Sequence, residues 1–149
     1  SGNGGSTTKL KAMKRKATKA AGKLLERVAA VSAVNHSPTV YYEATADPIW
    51  TAGADSYAGD VIRRAGGKNI FREGWKQIDW ETILRLDPDV ILVAHRQLSR
   101  MDGRAGWSTL KAVKNKHVYH VQESWFNIPS PRLLKGLREA SRILHETNP

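Results

Sequence analysis

Residues 89–94 read Asp-Val-Ile-Leu-Val-Ala, a continuous apolar run that directly follows a proline at position 88. Such a run is typical of a β-strand covered on both faces, because a strand with one solvated face alternates apolar and polar residues. Residues 39–43 and 117–121 are rich in β-branched and aromatic side chains, and each stretch predicts a further strand. The sequence therefore predicts a buried sheet with helices on both sides.

Four helical segments are predicted to alternate with these strands, and their ends carry recognisable capping or stop signals. The four segments run from Asp55 or Ser56 to Gly66-Gly67, from Asp79 to Pro88, over residues 107–113, and from Ser130-Pro131 onward. Alternating strands and helices predict an α/β fold, with a parallel sheet flanked by helices. Ligands of such sheets bind beyond the carboxyl ends of the strands, which here are followed by predicted loops at residues 44–54, 95–106 and 122–129.

The 149 residues include 24 Lys and Arg against 14 Asp and Glu, a formal net charge of +10. Residues 7–31 hold eight of these cations and only one acid, Glu26, so most of the excess charge belongs to one segment. Apolar residues recur there every three or four positions, which predicts one long amphipathic helix. Its lysine-rich face is either a solvated surface, which we favour, or a contact for nucleic acid.

Several classes of site are excluded by what the sequence lacks. There is no cysteine, which excludes disulfides and thiolate metal sites. No catalytic or phosphate-binding motif of the usual kinds occurs, so no enzymatic activity is predicted. His117 and His120 lie three apart on a predicted strand and face opposite ways, so no metal site is predicted. Residues 1–6 are expected to be a flexible polar leader of the kind left by cloning.

The aromatic residues are the candidates for ligand binding. Trp50, Trp75, Trp125 and Phe126 fall in predicted loops or at element boundaries, outside the apolar stripes of the helices. Flat apolar rings suit a large flat ligand, because they offer contact area at little entropic cost. Trp80 and Trp107, each at a predicted helix start, are expected to fill the core instead.

A set of motifs in fixed order resembles one protein family. In chain order they are Val40-Tyr41-Tyr42-Glu43, Thr51-Ala52-Gly53, residues 62–71, Trp80-Glu81-Thr82-Ile83-Leu84, Asp87-Pro88-Asp89-Val90-Ile91, Ala112-Val113-Lys114-Asn115 and Ser130-Pro131-Arg132. They resemble the C-terminal lobe of the TroA-like periplasmic binding proteins, which serve ABC importers for cobalamin, ferric siderophores and haem. Each motif alone is weak, but the ordered set is specific.

The resemblance implies a domain organisation and a function. Residues 37–149 would form the C-terminal α/β lobe, and residues 7–36 the long interlobe helix and linker. The N-terminal lobe that precedes this helix in the family is expected to be absent from the chain. The expected protein is a non-enzymatic, extracytoplasmic solute-binding component of an ABC importer. It would have no intrinsic cofactor, a metal chelate as ligand and a permease as partner.

The resemblance also implies roles for individual residues. Trp75 stands six residues before Glu81, where the cobalamin binder of the family has a tryptophan that stacks on the ligand. Trp50 falls on another aromatic ligand position of that protein. Glu81 matches the family's glutamate that pairs with arginines of the permease. Ser124 and Ile128 replace an acid and an arginine of the family, so corrinoid, ferric siderophore and haem all remain candidate ligands.

Three further expectations complete the hypothesis. Tyr42 and His95 are the nearest candidates for an axial haem ligand. The full-length protein is expected in the periplasm or outside the cell, held at the membrane only by a lipid anchor or the permease. The alternative function is a small basic nucleic-acid-binding domain that uses the lysine-rich helix. Its affinity for DNA would fall steeply with ionic strength.

Overall fold

The part of the chain that the computed structural model describes, residue 19 and residues 37–147, is built around a mixed β-sheet. Its strands are β1 Thr39–Ala46, β2 Ile49–Ala52, β3 Lys68–Asn69, β4 Trp75–Gln77, β5 Val90–Val93 and β6 Val118–His120. Its α-helices are α1 Tyr57–Arg64, α2 Trp80–Leu86, α3 Leu98–Met101, α4 Lys111–Lys114 and α5 Arg132–Thr147. The strand order is β4-β2-β1-β5-β6, and β3 pairs with the start of β1.

The centre of the sheet is parallel, as the alternation of strands and helices predicts. β1 runs parallel to β5, β5 runs parallel to β6, and β3 adds a short parallel pair beside β1. All four residues of β5 are buried, so this strand is covered on both faces as its apolar run predicts. The expected α/β fold with helices flanking the sheet is confirmed.

Alternate residues of the central strands face two separate apolar clusters. One side of the sheet, called the α5 face below, buries side chains from β1, β5, α1 and α5, among them Tyr42, Leu92, Ile62 and Leu137. The other side, called the α2 face, buries Tyr41, Ile91, Ile83 and Leu110. The two-residue period of a strand explains this division, because neighbouring side chains point to opposite faces.

The predicted loop at residues 44–54 is wrong over part of its length. The structure places β2 there, antiparallel to β1, and β4 pairs antiparallel with β2. The sheet is therefore mixed, with an antiparallel extension on one side of its parallel centre. A turn at Asp47 and Pro48 reverses the chain after β1. A strand of four residues is too short to show a readable period, so the sequence pattern did not reveal it.

The ends of the helices follow the sequence signals with two differences. Ser56 caps α1, since its Oγ accepts a hydrogen bond of 2.9 Å from the backbone N–H of Gly59. Asp79 stands at the cap position of α2, but its side chain makes no capping hydrogen bond within the described residues. The predicted helix at residues 107–113 is a 3₁₀ turn at Trp107–Thr109 followed by α4.

Asp89 ties the starts of the two central strands together. Its Oδ2 accepts hydrogen bonds from the backbone N–H of Thr39 at 3.0 Å and from the Thr39 hydroxyl at 3.1 Å. Its Oδ1 lies 3.3 Å from Nζ of Lys111. Burial alone would raise the pKa of the Asp89 carboxyl, but these hydrogen bonds outweigh it and hold the pKa below its ordinary value.

The predicted interlobe helix and linker, residues 7–36, lie outside the described residues except for Lys19, which is helical and exposed. Within the described residues, no helix combines the length and the apolar character that a membrane span needs.

Candidate functional site

The sheet register brings Trp50 and Trp75 to the same face. Trp50 lies opposite Gln77, and Trp75 lies opposite Ala52, in the antiparallel pair of β2 and β4. Directly opposed residues share a face, and so do residues two apart on one strand. Ala52 is buried in the cluster on the α5 face. Both tryptophans therefore lie on that side of the sheet.

The two tryptophans differ in exposure. Trp75 stands at the start of the edge strand β4 and is 53% exposed. Trp50 is half-buried, at the position of β2 that pairs with Thr45 near the carboxyl end of β1. The pair thus presents aromatic surface to solvent without being part of the closed core.

Trp125 lies on the same side of the sheet, in a 3₁₀ turn that follows β6. Its half-buried ring packs against the cluster on the α5 face, and Nζ of Lys135 lies 5.7 Å from the ring centroid. A Cβ atom at Gly136 would come within 2.1 Å of the Trp125 carbonyl oxygen. Only glycine at this position lets α5 approach the turn so closely, so Gly136 sets the position of Trp125.

Phe126 is buried in the core, unlike its neighbour. Its ring is fully buried and packs against Tyr42, with the two ring centroids 5.8 Å apart. Burial, and after it the charge of Glu123, raise the pKa of the Tyr42 hydroxyl well above its ordinary value, despite a hydrogen bond from Asn127. The structure therefore separates Phe126 from the partly exposed tryptophans with which the sequence grouped it. The Phe126 ring is part of the buried cluster on the α5 face.

A buried cluster of polar side chains lies on the opposite face, at the carboxyl end of β1. The carboxylate of Glu43 is fully buried. It accepts hydrogen bonds from the Tyr41 hydroxyl at 2.7 Å and from two nitrogens of Arg104 at 2.6 and 3.2 Å. Nε2 of His95 completes the cluster at 2.5 Å. Burial, and after it the negative charge of Glu43, raise the pKa of Tyr41 well above its ordinary value.

The tautomer of His95 follows from its two hydrogen bonds. Its Nδ1 accepts a hydrogen bond of 3.0 Å from the backbone N–H of Gln97. Nε2 therefore carries the ring proton and donates a hydrogen bond to the Glu43 carboxylate. Both ring nitrogens are thus engaged within the fold. The sequence motifs did not predict this cluster, although one signal for it is present. An acid stands directly after the apolar and aromatic residues of a predicted strand, where a charge needs a partner.

Glu81 is exposed in the first turn of α2 and makes no ion pair with any described residue. The preceding residue, Trp80, is held firmly. Its Nε1 donates a hydrogen bond of 2.6 Å to the carbonyl oxygen of Ala105, and its ring stacks on Trp107 at a centroid distance of 6.1 Å. Trp80 and Trp107 are half-buried and pack against the cluster on the α2 face, whereas the sequence predicts that they fill the core.

No group of three histidine, aspartate or glutamate side chains within residues 37–147 has an arrangement that could hold a metal ion. The polar groups that lie close together are committed to one another, as in the cluster around Glu43. Two of the surface features in this part of the chain are the tryptophans on the α5 face and the Glu81 carboxylate, which makes no ion pair with a described residue.

Comparison with known proteins supports the resemblance noted from the motifs. A family model described as periplasmic binding protein matches residues 3–124. The ABC transporter substrate-binding lipoprotein YvrC of Bacillus subtilis is 31% identical over 111 residues, which cover 72% of this chain and 35% of the relative. The vitamin B12-binding protein of Vibrio parahaemolyticus is 27% identical over 103 residues, which cover 66% of this chain and 38% of that protein.

A solved structure agrees with these relatives. The periplasmic vitamin B12 binding protein BtuF of Vibrio cholerae matches with a TM-score of 0.71 and 26% identity, over 83% of this chain and 50% of that one. The chain thus spans no more than about half the length of these relatives. The family match covers well over half of the chain, and we conclude that the chain belongs to the periplasmic binding protein family.

Proposed function

We propose that this chain supplies one wall of the ligand-binding cleft in the substrate-binding component of an ABC importer, and that the ligand is a metal chelate. The observation that carries the proposal is the placement of Trp50 and Trp75 on one face, with Trp75 53% exposed. Three tryptophans, Trp50, Trp75 and Trp125, are called the aromatic wall below.

The chemistry of the aromatic wall suits a large, flat and partly apolar ligand. Indole rings bury much apolar area on binding and lose little side-chain entropy, because each has only two rotatable side-chain bonds. Lys135 beside Trp125 adds a cation that would favour an anionic edge on the ligand. Phe126 is left out of the proposed wall, because its ring lies in the core.

Among the candidate ligands, a corrinoid is favoured and a ferric siderophore comes next. The relatives from Vibrio carry the name vitamin B12-binding protein, which supports a corrinoid. Haem is less favoured, because the two candidate axial residues are engaged elsewhere. The Tyr42 hydroxyl is buried against Asn127, and His95 is bound to Glu43.

The protein that contains this lobe would bind its ligand on the outer side of the membrane and deliver it to a permease, without catalysing a reaction. The lipoprotein among the relatives supports a lipid anchor in the full-length protein. Glu81 would contact a cationic surface of the permease, because its carboxylate is exposed and unpaired among the described residues. The similarities do not favour the nucleic-acid-binding alternative.

Ligand binding is the direct test. The protein encoded by the complete reading frame should be titrated by calorimetry with cyanocobalamin, with ferrichrome and with haem, and by fluorescence anisotropy with a DNA duplex at two salt concentrations. We expect saturable binding of one chelate at equal stoichiometry. Binding of none of the three chelates, together with DNA binding that weakens with salt, would reverse the proposal in favour of the alternative.

The docking role of Glu81 has its own test. Glu81→Ala should leave chelate binding unchanged and weaken the stimulation of ATPase activity in the cognate ABC importer. Glu146→Ala serves as a control, because Glu146 is also an exposed helical acid but lies near the end of α5. Normal stimulation by Glu81→Ala would remove the docking role, and Glu81 would then be a helix-start acid stabilised by the helix dipole.

A further inference from the structure

Trp80, the residue before Glu81, makes three contacts with the segment formed by residues 104–107. Its Nε1 donates to the carbonyl oxygen of Ala105, its ring stacks on Trp107 with 25° between the planes, and the guanidinium of Arg104 lies 5.0 Å from its ring centroid. The ring thus contacts both a second aromatic ring and a cation. Aromatic stacking and the cation–π contact are both favourable for an indole ring.

The same segment contacts α2 one turn further along. Gly106 has a φ of +79°, and a Cβ atom there would come within 3.1 Å of the Leu84 side chain. Positions four apart on a helix share one face. Residues 104–107 therefore cover the face of α2 that carries Trp80 and Leu84. Glu81 is the next residue round the helix, so it lies off this contact and in solvent.

Arg104 connects this packing to the centre of the sheet. Besides its two hydrogen bonds to buried Glu43, its Nη2 donates to the carbonyl oxygen of Ala46 at 3.1 Å, at the end of β1. A buried carboxylate needs such a partner, so the position of the guanidinium is strongly constrained. A continuous series of direct contacts then runs from β1 through Arg104 and Trp80 to Glu81.

We propose that Arg104 is a positioning residue for the docking surface: by holding Trp80 against the sheet, it aims the Glu81 carboxylate at a cationic surface of the permease. The inference rests on the proposed docking role of Glu81. One planar guanidinium forms the forked contact with Glu43 and also covers the Trp80 ring. Lysine could neutralise Glu43 but could not make both contacts, because its ammonium group is compact and has no planar fork.

Two conservative variants test the positioning role in the protein encoded by the complete reading frame. Arg104→Lys keeps the charge beside Glu43 and loses the fork and the stacking. Trp80→Phe keeps an aromatic ring and loses the Nε1 donor, so it tests the same series if Arg104→Lys does not fold. Arg100→Lys is the matched control, because Arg100 is exposed on the same connecting segment.

The readout is the stimulation of importer ATPase as a function of protein concentration, in nanodiscs without added chelate. Hydrogen–deuterium exchange of residues 80–86 is measured in parallel. We expect the half-saturating concentration to rise about three- to tenfold in both variants, as for the loss of one well-placed hydrogen bond. The maximal stimulation should stay unchanged, and exchange in α2 should speed up. Concentrations are those of folded protein, measured by circular dichroism, because an unfolded fraction alone would raise the apparent half-saturating concentration. A merely structural role would leave the half-saturating concentration of folded protein unchanged.

The possible failures are distinguishable. If Glu81→Ala weakens stimulation while Arg104→Lys and Trp80→Phe both match the Arg100→Lys control, the positioning role is overturned and the docking role stands. If Glu81→Ala has no effect on stimulation, the docking role fails and the positioning role fails with it. A lower maximal stimulation at an unchanged half-saturating concentration also overturns the positioning role.

Discussion

Replacing Trp75 by alanine is the most direct perturbation of the aromatic wall. Trp75 is 53% exposed, so about 130 Å² of its side chain is free to be covered, if a fully exposed indole presents about 250 Å². A flat ligand stacked on one side of the ring would cover about half of that area. At about 25 cal/mol per Å², the contact is worth about 1.5 kcal/mol, or slightly more than tenfold in affinity.

Calorimetric titration of the protein encoded by the complete reading frame measures this loss. The titrant is whichever of cyanocobalamin, ferrichrome and haem binds the unaltered protein. Leu86→Ala is the matched control, because Leu86 is 41% exposed on α2, on the opposite side of the sheet, and removing it should leave Kd unchanged. Thermal unfolding of both variants should stay near that of the parent, since each side chain is about half exposed and lies outside the buried core. A Trp75→Ala variant with Kd within about twofold of the parent would refute the stacking argument, because that is far less than the loss expected from the area.

Three further predictions concern stability. Arg104→Met should destabilise the fold by about 3–5 kcal/mol in urea unfolding, because it leaves the buried Glu43 carboxylate without its main partner. Adding Glu43→Gln should recover part of that loss, and strictly additive losses would contradict the pairing. The lowered pKa of Asp89 adds stability that is present above its unfolded pKa of about 4 and is lost as the pH falls through the lower folded pKa. Asp89→Asn should therefore lower the free energy of unfolding at pH 7 and flatten its fall in acid, whereas an unchanged acid profile would argue against this linkage. Gly136→Ala should cost about 1–3 kcal/mol by pushing α5 away from Trp125, and an unchanged thermal midpoint would disprove that close contact.

Local patterns in the sequence were enough to predict the central strands and most of the helices. The apolar run at residues 89–94 predicts a strand covered on both faces, and β5 is buried throughout. The cap at Ser56 and the glycines at 66 and 67 bound α1 correctly. These signals are readable because each depends on the period of a strand or on the chemistry of a helix end, which involve residues close in sequence.

Contacts between distant residues could not be read in this way. The pairing of β2 with β4, which brings Trp50 and Trp75 to one face, joins short strands whose period is too brief to detect. Phe126 and Trp125 are adjacent aromatics in one turn, yet only the packing against Tyr42 decides which of them is buried.

An α/β sheet with tryptophans near its strand ends could be predicted from the amino-acid sequence without any coordinates. The contact between Glu43 and Arg104, 61 residues further along the chain, emerges only from the tertiary packing. The acid in the strand shows that a buried charge needs a partner, but many cations elsewhere in the chain could fill that role. The choice among them depends on which loop the closed sheet brings over the end of β1, and that is a property of the whole fold.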